Sequence, residues 1–358
     1  LRFALKHVWL YPARLRFAFA AARVFRDSRL AQALRKSGLA KLISRRFEFA
    51  LALLESSAPK LETRNDNTRE NAGVRENAAV NRDVVADLDN NTMLFAGCVG
   101  AGLFARVNRS TVRVLEANGF AVQTPGSQVC CGALHAHAGD LEGARILARR
   151  NIVAFETKGA DEAKQSAPVI TNAGGCGAML ASYAHLLAED EAFAERAKNF
   201  SARVRDVSQQ LEISSQRLQD VSQSLEPAKI GNGAAKTDET VTYDASCHLL
   251  YGQHAGEAPI KLLREVPELK FAPLEGAERC CGGAGIYNLL EPDLSAQVLA
   301  EKLASIRATG AKVLATGNPG CQMQIGAGAL LAGMDLIVCH PVELLDEAYA
   351  RAGKYEKR

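Results

Sequence analysis

The stretch "QVCCGALHAHAGD" at residues 128–140 returns in altered form as "ERCCGGAG" at 278–285. Each sets two adjacent cysteines, Cys130–Cys131 and Cys280–Cys281, directly before a glycine. Adjacent cysteines make poor disulfide partners, because the eight-membered ring strains the peptide bond between them. Working outward, Cys98 lies 32 positions before the first pair and Cys247 lies 33 before the second. Cys176 follows its pair by 45 positions and Cys321 follows by 40. The contexts agree as well: "FAGC" with "DASC", "VCCGA" with "RCCGG", "NAGGCG" with "GNPGCQ". Eight of the nine cysteines fall into this scheme, so an internal duplication is the economical reading.

The surroundings of the repeat predict its fold class. Short apolar runs at 92–97, 120–124, 168–173, 240–245, 312–317 and 335–339 read as strands, and amphipathic stretches such as 140–157 and 292–309 read as helices. Their alternation predicts an α/β protein of two tandem parallel-sheet repeats with pseudo-twofold symmetry, at 92–212 and 239–358. A basic helical segment (1–55) and a polar, Asn-rich linker (56–91) precede them. Residues 213–238 are read as an insert and linker. Between the halves lies a small duplication, "RDVSQQLE" at 205–212 recurring as "QDVSQSLE" at 219–226, which reads as a lengthened surface helix or loop without chemistry.

In a parallel sheet the strand-to-helix loops gather at the carboxyl edge, where sites form. Cys98, Cys176, Cys247 and Cys321 each lie just past a predicted strand and open a helix, so each half can bring four thiols together. Helix N-termini there are expected to favour thiolates. Gly97, Gly132, Gly175, Gly282, Gly283 and Gly320 would let the backbone approach a bulky centre and offer it N–H donors. Four thiolates suit an iron–sulfur cluster or a tetrahedral zinc. The absence of a C-x2-C hook favours the cluster, with zinc or plain buried thiols as the alternatives.

Composition narrows the classes further. The chain has 358 residues, ample for two domains, and a net charge of +3, which gives no general argument for nucleic acid. The charge is uneven: residues 1–50 hold twelve Lys and Arg against Asp27 and Glu48. That segment reads as helices docked on a neighbouring domain, or as an attachment to an anionic membrane surface. No secretory leader or membrane span is legible, so a cytoplasmic setting, peripheral at most to the inner face of a membrane, is expected. The glycine-rich loop at 282–285 lacks the context of a dinucleotide fingerprint, and no P-loop, G-x-S-x-G or H-E-x-x-H occurs.

The doubled C…CCG…C layout resembles the cysteine-rich (CCG) domain pair of the heterodisulfide reductase superfamily, and within that superfamily the iron–sulfur subunit of glycolate oxidase. The stretches "FAGCVG", "QVCCGALHAHAGD", "TNAGGCGAML", "YDASCHLLYGQ", "ERCCGGAGIYNLLEPDLS", "TGNPGCQMQIG" and "VCHPVELLDEAY" carry the resemblance, from about residue 92 to 350. It implies an electron-transfer subunit with iron–sulfur clusters, of 4Fe-4S type. FAD-binding subunits would oxidise the 2-hydroxy acid, and a quinone or other membrane acceptor would take the electrons. A lactate- or glycerol-3-phosphate-oxidising system, or a zinc-binding or metal-free scaffold subunit, is the alternative. The chain departs from the pattern in three respects, of which one is the 56–91 linker together with the 14-residue duplication, neither expected of the family. The superfamily's fuller motif has five cysteines per repeat, whereas Met179 and Gln324 stand at the last positions here. The family's N-terminal ferredoxin-like motifs have no counterpart, so a longer chain or a separate ferredoxin is expected to supply them.

Four side chains remain. Cys339 lies in a predicted strand and reads as a buried small side chain. His248, next to Cys247, reads equally as support for the site or as a helix-start residue. His135 and His137 line the site or lie exposed on a loop.

Overall fold

The computed structural model describes residues 2–58, 91–156, 167–213, 239–266 and 269–355. Two four-stranded parallel sheets organise the chain. The first consists of β1 (Asn91–Phe95), β2 (Ala121–Gln123), β3 (Val169–Thr171) and β4 (Val204–Asp206), in the order β2-β1-β3-β4. The second consists of β5 (Thr240–Asp244), β6 (Lys270–Phe271), β7 (Val313–Thr316) and β8 (Ile337–Cys339), in the order β6-β5-β7-β8. The duplication seen in the cysteines is therefore a duplication of topology. Helices cover the sheets, as parallel strands joined by crossovers require.

The central strands are buried at nearly every position. β3 is buried throughout, and β7 is buried at all four positions. Two of the four edge strands, β4 and β6, are short and carry Arg205 and Lys270, and no hydrophobic run announces them. "RDVSQQLE" is not a surface feature in its first copy: Asp206, Val207, Ser208, Gln210 and Leu211 are all buried. It forms the end of β4 and the turn of helix packed behind it, and the second copy lies outside the described residues.

The repeats interlock pseudo-symmetrically. The helix after β1 (Ala105–Ala117) packs on the helix after β8 (Pro341–Arg351), joined by Arg106–Glu343 at 2.7 Å and by Arg113–Asp346. On the other side the helix Ala258–Glu265 meets the segment after β4 through Lys261–Glu212 at 2.7 Å. The N-terminal helices dock across both repeats. The helix Arg45–Ser56 lies along Pro319–Leu331, and Ser56 Oγ donates to Met323 O at 3.1 Å. Phe19, on the helix Pro12–Asp27, covers Gly102 so closely that a Cβ there would sit 2.5 Å from its ring. No helix among the described residues is long and apolar enough to cross a membrane.

Candidate iron–sulfur site

Each half brings its four cysteines into one chain of contacts. Cys98 opens the helix Cys98–Leu103 directly after β1, and its Sγ lies 3.4 Å from that of Cys130. Cys131 then interacts with both Cys130 and Cys176, the latter in the first turn of the helix Gly174–Ala181. The second half repeats this order. Cys247, just before the π-helical turn His248–Gly252, interacts with Cys280, Cys280 with Cys281, and Cys281 Sγ lies 3.2 Å from Cys321 Sγ. All nine cysteines are free thiols. These are pairwise rows rather than cages: no group of three or more His, Cys, Asp or Glu among the described residues has the arrangement of a single-ion site.

Electrostatics in the rows runs against the expectation of ready thiolates. Cys98 is pushed well above the ordinary thiol range by its bond to Cys130 and by burial. Cys130, Cys131, Cys247 and Cys281 are also raised, with burial and neighbouring thiols opposing ionisation. Helix N-termini are too weak to offset this crowding. Cys280 alone is strongly lowered, because Cys247 and Cys281 donate to it and the N–H groups of Gly282 and Ala284 face it. Gly282 N lies 3.3 Å from Cys280 Sγ. A thiolate row so crowded is relieved by cationic iron or zinc, which takes the place of the protons.

The glycines serve different ends. Gly97, at φ +66°, turns the chain from β1 into the helix, and a Cβ there would approach Cys176 Sγ at 3.5 Å. Gly282, at φ +83°, lies so close to Ser295 O that a Cβ would come within 2.5 Å. Gly132 packs on Ala144, and Gly283 beside Cys281 and Gln324. Gly175 and Gly320 flank the amide of Asn318.

The two rows face each other across the repeat interface. Gly174 N–H donates to Gly317 O at 2.9 Å, and Gly175 N–H donates to Asn318 Oδ1 at 3.1 Å. His137 of the first half and His248 of the second meet edge to face, with ring centroids 5.4 Å apart. Burial lowers the pKa of both, which favours the neutral imidazole. His135 is not exposed: it is fully buried and pairs with Asp140 Oδ2 at 2.9 Å. Cys339 is buried in β8, away from either row. One helical turn past the last cysteine of each row stand Met179, packed against the core around Cys130 and Cys131, and Gln324, which is buried and bonded to Ser295 Oγ and Asn288 Nδ2.

Sequence reasoning passed over several residues that shape the site. Tyr183 donates to Cys131 O at 2.7 Å and Asn151 Nδ2 donates to Cys130 O at 3.0 Å, fixing the first pair's loop. In the second half Lys302 takes over this support. It donates to Gly276 O and Ala277 O and forms an ion pair with Asp244 at 2.8 Å. A lone Asp inside the strand "TVTYD" was the available signal.

The sequence model of the CCG cysteine-rich domain matches residues 92–181 and 241–326, one match in each half. The fold and the doubled thiol rows thus define a tandem cysteine-rich-domain protein. Over 348 residues the chain is 32% identical to the "probable glycolate oxidase iron-sulfur subunit" of Bacillus subtilis (strain 168), covering 96% of this chain and 71% of that protein. It is 31% identical over 256 residues to lactate utilization protein A of Shouchella clausii, covering 72% of this chain and 98% of that protein. Lactate utilization protein A of an Exiguobacterium species is 32% identical over 262 residues, or 73% of this chain and 99% of that protein. The chain belongs to the family of these glycolate oxidase iron–sulfur subunits and lactate utilization A proteins.

Proposed function

We propose that this chain is the electron-carrying iron–sulfur subunit of a flavin-dependent 2-hydroxy-acid oxidoreductase of the glycolate type. Cys98, Cys130, Cys131 and Cys176 would hold one cluster, and Cys247, Cys280, Cys281 and Cys321 the other, each of 4Fe-4S type. The observation that carries this reading is the convergence of two rows of four thiols at facing sheet edges. The donor set fits: soft thiolates select iron–sulfur centres or zinc, and N–H groups at Gly282 and Ala284 already face a ligand sulfur. Such clusters supply one-electron storage at a potential tuned by their surroundings.

No amino-acid side chain at the rows can itself accept a hydride from a hydroxy acid. The substrate chemistry therefore falls to an FAD-binding partner subunit, and this chain receives electrons from it. A quinone at the inner face of a membrane is the proposed acceptor. The basic N-terminal helices support that location, since Phe3, Phe17, Leu42 and Ile43 are exposed among Arg2, Lys6, Arg16 and Lys41.

Anaerobic purification followed by iron, acid-labile sulfide and zinc analysis tests the reading. Two clusters' worth of iron and sulfide is expected, and Cys281→Ala should lose about half of it. Zinc without iron or sulfide would sink the electron-transfer role. Undiminished cluster content in Cys281→Ala would refute the ligand assignment.

A further inference from the structure

The two thiol rows are alike in order and unlike in surroundings, and the difference centres on Asn318. This residue precedes the helix Pro319–Leu331 in extended conformation, where an Asn side chain ordinarily caps the first turn. It makes no such cap. Its amide turns to the site instead: Nδ2 donates to Cys321 Sγ at 3.4 Å, and Oδ1 accepts from Gly175 N–H at 3.1 Å. Gly175 immediately precedes Cys176. One side chain thus touches a thiol of the second row and the main chain that carries a thiol of the first. Glycines make this possible. A Cβ at residue 175 would lie 3.3 Å from Asn318 Oδ1, and one at residue 320 would lie 3.1 Å from Nδ2. The first repeat has no equivalent: when "TNAGGC" is aligned with "TGNPGC", Ala173 stands at the corresponding position, with no donor to offer.

We propose that Asn318 is a positioning residue that makes the two centres unequal: it raises the reduction potential of the second-repeat centre and fixes that centre's place against the first row. This rests on the reading that both rows hold iron–sulfur clusters. A hydrogen bond to a ligand sulfur withdraws electron density from it and stabilises the more negative, reduced state, which moves the potential upward. The same amide, held by Gly175 N–H, cannot rotate away from the sulfur without giving up its second bond. The duplicated scaffold alone would place two equivalent centres face to face. The exchange of alanine for asparagine at one position gives the pair a direction.

The test is an EPR-monitored redox titration of the anaerobically loaded full chain. Cys131→Ala and Cys281→Ala each remove one half's signal and so assign the two. Asn318→Ala and Asn318→Asp are then titrated. Aspartate keeps the side-chain volume and the oxygen facing Gly175 N–H but loses the donor to Cys321. Both variants should lower the second-half midpoint potential and leave the first-half midpoint within titration error, with Asp shifting at least as far as Ala. An unchanged second-half potential in both variants overturns the proposal. Equal shifts in both halves also overturn it, because they mark a general loosening of the interface. Wild-type protein that holds no iron or sulfide refutes the cluster reading itself, and shows this before any variant is titrated.

Discussion

Lys302 shows what a single buried charge does beneath the second row. Its ammonium group and the Asp244 carboxylate are almost wholly removed from water, and its remaining donors go to Gly276 O and Ala277 O, just ahead of Cys280. Burial pushes the Asp244 carboxyl above its ordinary value, while the attraction of Lys302 and the Thr316 hydroxyl at 3.0 Å oppose that rise. Replacing Lys302 by methionine would keep the volume and strand the acid together with two carbonyls. The expected cost is about 3–5 kcal/mol of unfolding free energy, the range for a broken buried pair. Equilibrium denaturation in urea measures it, and a loss below about 1 kcal/mol would show that the pair is not what holds this loop. Apart from the lone Asp244 in its strand, none of this was legible in the sequence, because Lys302 lies on an amphipathic helix where lysine reads as a solvated face. The eight cysteines were legible because duplicated spacing is independent of packing. Asn318 was not: before Pro-Gly it reads as an ordinary helix cap, and only the folded chain shows its amide turned away from its own helix.

At the scale of elements, β4 and β8 each end in the same device with opposite chemistry. Asp206 Oδ1 accepts from Ser208 N–H at 2.9 Å, while Asp206 N–H donates to Gln209 Oε1 at 2.9 Å. His340 Nδ1 accepts from Val342 N–H at 3.0 Å, while His340 N–H donates to Glu343 Oε2 at 2.8 Å. These are two capping boxes, one per repeat, and both caps line one cleft between the repeats. Burial raises the Asp206 carboxyl from 3.8 to about 6 and lowers the His340 imidazole from 6.5 to about 3. Between those two values for Asp206, the folded protein keeps a proton that the unfolded chain releases, so stability falls as pH rises. Between those for His340, the unfolded chain takes a proton that the folded protein refuses, so stability rises with pH. The two slopes overlap and offset each other. Asp206→Asn should therefore gain up to about 3 kcal/mol over the wild type above pH 6 and lose that advantage toward pH 4. His340→Asn should gain on the wild type only as the medium is made acidic. Thermal melts across pH for the three proteins decide this, and parallel curves would refute it. The elements themselves were unevenly legible. Six strands announced themselves as apolar runs because both faces of a parallel sheet are covered. β4 and β6 did not: charged residues take two of the three positions of Val204–Asp206, and Lys270–Phe271 is only two residues long.

Across the whole molecule, the two sheets and the N-terminal helices converge on Arg106. Its Nε donates to Glu343 Oε1 at 2.7 Å, at the start of the second repeat's last helix, and its Nη1 donates to Ser57 O at 3.0 Å, at the end of the N-terminal helices. Ser57 is also held by Arg26, through both its carbonyl and its hydroxyl. The arginine itself belongs to the helix after β1, so one guanidinium joins all three parts of the described chain. The side chain of Glu343 is only 4% exposed, and its other oxygen holds the His340 N–H, so loss of the arginine leaves a buried carboxylate anchored at one end only. Arg106→Ala should cost about 3–5 kcal/mol. Arg106→Lys should recover little of that, because an ammonium group cannot span both acceptors in the planar geometry of a guanidinium. Lys312→Ala makes the control: its pair with Asp335 is exposed on both sides, and its loss should cost no more than about 1 kcal/mol. Urea denaturation of the three variants, followed by both fluorescence and circular dichroism, measures the difference. If Arg106→Ala proves no more costly than Lys312→Ala, the repeats and the N-terminal helices are held by their apolar contacts alone.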